Sequence, residues 1–192
     1  MVRIKHVFLI LFVIWFLIRA VYARKSFKKP AKVTPRAFVD YILVAVNFFG
    51  MMVIPVFAAL TTKLDFAAIG LPEFISWLAL VIYALNLGLF AWSHHVLGAN
   101  WSAGLAVKQE HTLIQVGPYK WVRHPMYTHF WVLVISQGLA LDNWLVLVFG
   151  VLSWGVLYFW RVGREEAMML REFGDAYKKY MDTTGRLLPK IR

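Results

Sequence analysis

The 192-residue chain contains no cysteine. That excludes disulfides, thiolate metal sites and a cysteine nucleophile together. Charge is also scarce, at 16% of residues, where a soluble domain carries about 25%. Acids are the rarer sign, 10 Asp and Glu against 21 Lys and Arg. No G-x-G-x-x-G pattern and no phosphate loop occurs, which rules out a Rossmann-type nucleotide domain. Internal repeats and low-complexity segments are absent too.

What fills the chain instead is apolar: 60% hydrophobic and 17% aromatic, in long runs. This composition predicts an all-α integral membrane protein, a single membrane domain over residues 1–192. Five spans are expected, at about 7–21, 38–60, 74–92, 125–141 and 144–160. A basic start followed by a short apolar centre also fits a signal peptide. No small-residue cleavage site follows, however, and the run leads directly into Arg24-Lys25, so 7–21 reads as a first span with Arg19 snorkelling to the interface. Pro55 can kink the second span, and Asn47 and Gly50 allow close packing there.

The net charge of +11 would suit nucleic acid if it formed a stripe on a soluble helix, and it does not. Basic residues lie between the apolar runs: six in 24–36, three in 94–123 and eight after residue 160, against one in 61–73 and none in 142–143. This bias predicts a cytoplasmic C-terminus and an outer N-terminus, although Arg3 and Lys5 count against it. Beyond the last span, Met169, Phe173, Ala176, Tyr177 and Tyr180 share one face of an amphipathic helix that Gly174 can break in two.

Polar chemistry concentrates in Gln115–Tyr127 and in Arg161–Glu166, at the two ends of one apolar hairpin. A hairpin turned at Asp142-Asn143 must return its ends to one side, which places Arg123, His124, Tyr127, Arg161 and Glu165 in one region. Each has a plainer reading alone. His124 can simply precede a helix-starting proline, Arg161 and Glu165 can be a self-satisfied ion pair four residues apart, and Glu166 reads as solvated. His129 reads as a packing residue within an apolar helix. Adjacent His94 and His95 point in different directions with no carboxylate at ligand spacing, so no metal site is expected.

Taken together, Gly117-x-Tyr119, Arg123-His124-Pro125-x-Tyr127, Arg161, Glu165-Glu166, Phe173-Gly174-x-x-Tyr177-x-x-Tyr180 and Arg186-x-x-Pro189 resemble the isoprenylcysteine carboxyl methyltransferases. The resemblance covers about 103–191, and the five-span plan is similar to that of the shorter prokaryotic members. It implies an S-adenosylmethionine-dependent enzyme that methylates the carboxylate of a prenylated or otherwise lipophilic acceptor within the membrane. The cofactor pocket would be cytoplasmic, formed by the hairpin, the preceding loop and the C-terminal helix. Carried over by position, His111, Thr112, Leu113, Ile114, Gly117, Tyr119, His124, Tyr127 and Tyr180 would line the cofactor. Glu165 would hold its charged methionine end, and Arg161 would orient the acceptor carboxylate. Arg164, standing before the two glutamates, departs from the family's acidic run and leaves the choice between Glu165 and Glu166 open. Two other readings remain: a methyltransferase for another lipid-like acceptor (an amine headgroup or small hydrophobic molecule), and a non-enzymatic transport or assembly component of the membrane.

Overall fold

A computed structural model describes residues 2–27, 31–33, 38–98, 106–108 and 112–190. The helices are α1 (Val2–Phe27), α2 (Phe38–Phe48), α3 (Ile54–Leu60), α4 (Glu73–Leu97), α5 (Pro125–Ala140), α6 (Trp144–Phe173) and α7 (Asp175–Thr183). Two three-residue strands, β1 (Ala31–Val33) and β2 (Ala106–Lys108), pair antiparallel with Lys32 opposite Val107. Nothing in the composition of the basic loops announced this pairing.

Among the described residues, four stretches are long and apolar enough to cross a membrane: Val2–Arg24, Phe38–Leu60, Glu73–Leu97 and Trp144–Phe173. The chain is accordingly an all-helical integral membrane protein. The remaining expected span, 125–141, falls on α5. α5 has only 16 residues, which is about 24 Å of helix against a hydrocarbon core of about 30 Å. Leu85, Leu152 and Val156 project outward, the arrangement expected where lipid rather than water is the solvent.

Two compact units share these helices, the first made of 1–16, 36–87 and 130–158 and the second of 17–35, 88–129 and 159–192. In the first, Ile4, Phe8, Tyr83, Leu133, Val134 and Val146 form a sealed core. The second apolar stretch stays helical through Pro55 by widening into a π turn at Phe49–Val53, because proline has no N–H to donate to residue 51. Gly50 in that turn lies against Ser153 and the Phe149 carbonyl, where a Cβ would collide. Gly138 does the same for the α5–α6 hairpin, with the Leu147 backbone where its Cβ would stand.

The hairpin turn is closed by side chains. Asp142 takes a positive φ of 49°, a conformation Asp tolerates better than most residues. Its carboxylate accepts the Leu71 N–H at 2.9 Å, and Asn143 caps α6 by accepting the Val146 N–H at 3.1 Å. These bonds fix where the chain reverses, and therefore which residues of α5 and α6 stand level.

Candidate functional site

Every residue of the site belongs to the second unit. Gly117, with φ of 58°, enters a 3-10 turn over Gly117–Lys120. A Cβ there would meet Val96 Cγ2 at 2.9 Å, so both backbone angle and space demand glycine. The turn buries Tyr119 and leads to Pro125, which opens α5 with its fixed φ in the first helical turn. The His124 carbonyl accepts the Tyr127 and Thr128 N–H groups at 3.0 and 3.1 Å. Its backbone thus starts the helix while its imidazole is free to face elsewhere.

That imidazole meets α6. His124 Nδ1 lies 3.8 Å from Glu165 Oε1, and His124 Nε2 lies 3.3 Å from Glu166 Oε1. Tyr127, its ring stacked on His124 at 5.3 Å, donates its hydroxyl to Glu165 Oε2. The turn before α5 and the polar end of α6 therefore do converge, with His124, Tyr127 and Glu165 brought together.

Glu166 is a correction to the sequence reading. It is not solvated but 5% exposed. Arg123 donates to its Oε1 from Nε and Nη2 at 3.2 and 2.9 Å, and Arg186 donates to both its oxygens. Removing one member of such a buried ionic cluster strands the others, at a typical cost of about 3–5 kcal/mol. The cluster anchors the C-terminal segment. Arg123 also reaches the Met181 and Thr184 carbonyls. The Arg123 and His124 N–H groups donate to the Gly185 and Arg186 carbonyls at 2.8 and 3.1 Å, and Thr128 to that of Leu187 at 2.8 Å. Glu166 is engaged in structure. Glu165, with its side chain 33% exposed, keeps coordination capacity.

α7 closes over this from the C-terminal side. Gly174, with φ of 51°, separates it from α6, and Tyr177 and Tyr180 turn inward at 1% and 5% exposure. Ala176, expected on the same face, is exposed. Tyr180 donates to the Tyr119 carbonyl. Burial, then the charges of Glu165 and Tyr180, pushes the Tyr119 phenol well above its ordinary value. Burial raises Tyr177 and Tyr180 likewise, Glu166 adding to the rise at Tyr177 and Arg123 opposing it at both. All three are therefore neutral hydroxyls at physiological pH, able to donate.

The remaining expected residues divide. Thr112, Leu113 and Ile114 run irregularly into the 3-10 turn, Thr112 exposed and the other two half-buried; His111 lies outside the described residues. Arg161 makes no ion pair with Glu165, and its Nε is buried without a hydrogen-bond partner among the described residues. Arg164 lays its guanidinium on the Trp160 ring at 3.9 Å, turned to an aromatic face. His129 is the packing residue expected, bonded to Ser93 Oγ at 2.8 Å. Among the described residues no group of three potential metal ligands occurs.

Tyr119 Oη, Tyr177 Oη and Arg161 Nε are buried without a hydrogen-bond partner among the described residues. Buried polar groups are nearly always satisfied, and such orphans mark where something polar is received. Arg123 and Glu166 were the residues sequence reasoning undervalued. The signal was available, since an arginine following a glycine-proline turn and an adjacent pair of acids on the facing helix can satisfy each other.

The chain is similar to known proteins. The chain is 31% identical over 84 residues to the protein-S-isoprenylcysteine O-methyltransferase of Schizosaccharomyces pombe, covering 43% of this chain and 35% of that one. It is 31% identical over 99 residues to that of Saccharomyces cerevisiae, covering 50% and 41%. The matched segment thus spans well under half the length of these curated relatives. Among solved structures, the eukaryotic intramembrane Ras methyltransferase, an isoprenylcysteine carboxyl methyltransferase, aligns over 83% of this chain and 55% of its own, with a TM-score of 0.58 and 22% identity. That likeness is one of fold. Residues 77–171, just under half of the chain, hold most of α4, the site turn, α5 and nearly all of α6, and match the family model for isoprenylcysteine carboxyl methyltransferases.

Proposed function

We propose that this protein transfers a methyl group from S-adenosylmethionine to the carboxylate of a lipophilic acceptor, of the isoprenylcysteine type, at the cytoplasmic face of the membrane. The observation that carries the reading is the division of labour between adjacent acids. Glu166 is consumed by Arg123, His124 and Arg186, while Glu165, steadied by Tyr127 and His124, remains half-open. A carboxylate so held suits the ammonium of an amino-acid moiety.

The chain's residues fit the cofactor in a second respect. The hydroxyls of Tyr119 and Tyr177, kept protonated by burial, are donors without acceptors among the described residues. When bound, S-adenosylmethionine supplies a sulfonium methyl, an electrophile that a carboxylate can accept without any proton transfer. The protein's tasks are then positional: to orient, to exclude water and to balance charge. Arg161, one helical turn before Glu165, can hold the acceptor carboxylate through two parallel donors. It orients that nucleophile rather than activating it, since a tighter grip would lower its reactivity. The bias of basic residues toward the site's side of the chain supports a cytoplasmic location.

Calorimetry on the detergent-solubilised protein tests this. Saturable binding of S-adenosylhomocysteine is expected, together with turnover of an S-prenyl cysteine that Arg161→Ala abolishes while leaving the binding intact. No saturable binding would overturn the reading.

A further inference from the structure

We infer that Trp92, Val116, Lys120 and Trp121 form a surface that docks on the headgroup layer of anionic phospholipid and so anchors the site turn to the membrane. All four belong to the second unit. On α4, Leu89, Trp92 and Val96 fall on one face at three- and four-residue spacing, and Leu89 and Trp92 are exposed. Gly117 lands at the end of this line, so close that a Cβ on it would stand 2.9 Å from Val96 Cγ2 and 3.5 Å from Trp92 Cζ2. Trp121 then sets its ring edge-on to Trp92, with centroids 5.8 Å apart at 71°. The apolar line of α4 therefore continues off the helix onto the turn, where Val116 is 64% and Trp121 53% exposed.

Two indoles and a valine turned outward need a solvent, and the lipid-facing side of α4 leads straight to them. Hydrocarbon alone does not suit tryptophan, whose ring carries an N–H, whereas the headgroup level suits both its apolar body and its polar edge. Charge then selects among headgroups. From Thr112 to Arg123 the chain has no acid. Its two bases there are Arg123, held by Glu166 at 2.9 Å, and Lys120, which is exposed beside Trp121. An ammonium at a bilayer surface draws anionic over zwitterionic lipid. A symmetric contact between two copies would bring this patch against itself, lysine toward lysine, which disfavours a second copy as the occupant. The anchor bears on the site because Lys120 and Trp121 directly follow Tyr119, whose carbonyl receives the Tyr180 hydroxyl of α7. Two residues further on stand Arg123 and His124.

Because the chain has no cysteine, Val116→Cys can carry a single nitrobenzoxadiazole label on the full chain in phosphatidylcholine vesicles containing phosphatidylglycerol. Lys178→Cys, exposed on α7, is the water-facing reference. A lipid nitroxide near the headgroup should quench the label at 116 more than one at the chain end. Iodide in the water should reach it severalfold less than it reaches the label at 178. The headgroup-level nitroxide should quench about fivefold more strongly on phosphatidylglycerol than on phosphatidylcholine, the worth of one lysine at a bilayer surface. Lys120→Gln should bring the two lipids level. Trp121→Ser should open the label to iodide, while Trp121→Tyr, which keeps an amphipathic ring, should not. Should Trp121→Ser fail to fold, the depth profile and Lys120→Gln decide alone. Iodide quenching at 116 equal to that at 178 would overturn the docking, as would strongest quenching from the chain end, which means plain burial in hydrocarbon. A label shielded from both iodide and lipid would overturn it too, by making a protein surface such as a second copy the occupant. Equal quenching by the two lipids with Lys120 present, or a preference that survives Lys120→Gln, would defeat the anionic headgroup.

Discussion

Glu165 and Glu166 are neighbours in sequence with opposite fates, and the reason is angular. Successive residues on a helix point about 100° apart, so one acid turns into the Arg123–Arg186 cluster while the other faces Tyr127. Replacing Glu166 by Ala should lower stability by about 3–5 kcal/mol, because the arginines would be left buried without their counter-charge. A fall in thermal midpoint in detergent would show it. Glu165→Gln removes a half-exposed charge and should leave that midpoint nearly unchanged while weakening S-adenosylhomocysteine by roughly tenfold, the worth of a hydrogen bond to a charged partner. Should the two variants exchange phenotypes, the roles assigned here are reversed. At this scale the sequence was only partly legible. The spacing of His124, Tyr127 and Glu165 implied convergence, but which acid the bases would claim depended on Arg186, delivered by a segment whose path no periodicity encodes.

Helices and turns were easier to foresee where proline, glycine and asparagine punctuate the chain. The stop at Gly174, the start at Pro125 and the turn at Asp142-Asn143 all stand where those residues put them. The β1–β2 pairing escaped notice because backbone groups hold it, and the C-terminal strap because its carbonyls receive Arg123 and Thr128; backbone acceptors carry no residue-specific signal. Close approach of α5 and α6 depends on Gly138, whose missing Cβ admits the Leu147 backbone. Gly138→Ala should therefore cost about 1–3 kcal/mol through forced separation, read as a lower thermal midpoint with unaltered helix content by circular dichroism. α7 makes a separate prediction about pH. Its Tyr177 and Tyr180, with Tyr119, hold their protons above the ordinary phenol value of about 10, so the folded state favours the neutral form. Their contribution is present below about pH 10 and is lost as pH rises beyond it. Because the Tyr177 hydroxyl has no partner among the described residues, Tyr177→Phe should make the alkaline fall in thermal midpoint shallower. An unchanged slope would mean that the phenol ionises freely in the fold.

Taken whole, the molecule poses the question of how many times it crosses the bilayer. Composition made the membrane legible at once, since 60% hydrophobic residues in long runs have no other solvent. Span count was less legible, because α5 is apolar yet 16 residues long, at the margin where hydropathy and length disagree. A helix too short for the hydrocarbon can still cross if the bilayer thins or its flanking residues reach the interface. The basic bias needs that crossing, since only an odd number of passes between the loop at Lys63 and the tail at Lys178 puts them on opposite sides. The chain's lack of cysteine allows a clean test by single replacements at exposed positions. Lys120→Cys and Lys178→Cys should react with an impermeant maleimide only from the cytoplasmic side, and Lys63→Cys only from the other. Labelling of Lys63→Cys and Lys178→Cys from the same side, with Lys120→Cys alike, would mean that α4 does not separate the loops as the charge bias requires. Lys120→Cys and Lys178→Cys on opposite sides would mean instead that α5 stops within the membrane and that α6 alone crosses. In that arrangement the site turn and α7, which the Tyr180–Tyr119 bond holds together, could not both be at one surface, so common labelling of these two positions is the outcome the fold demands.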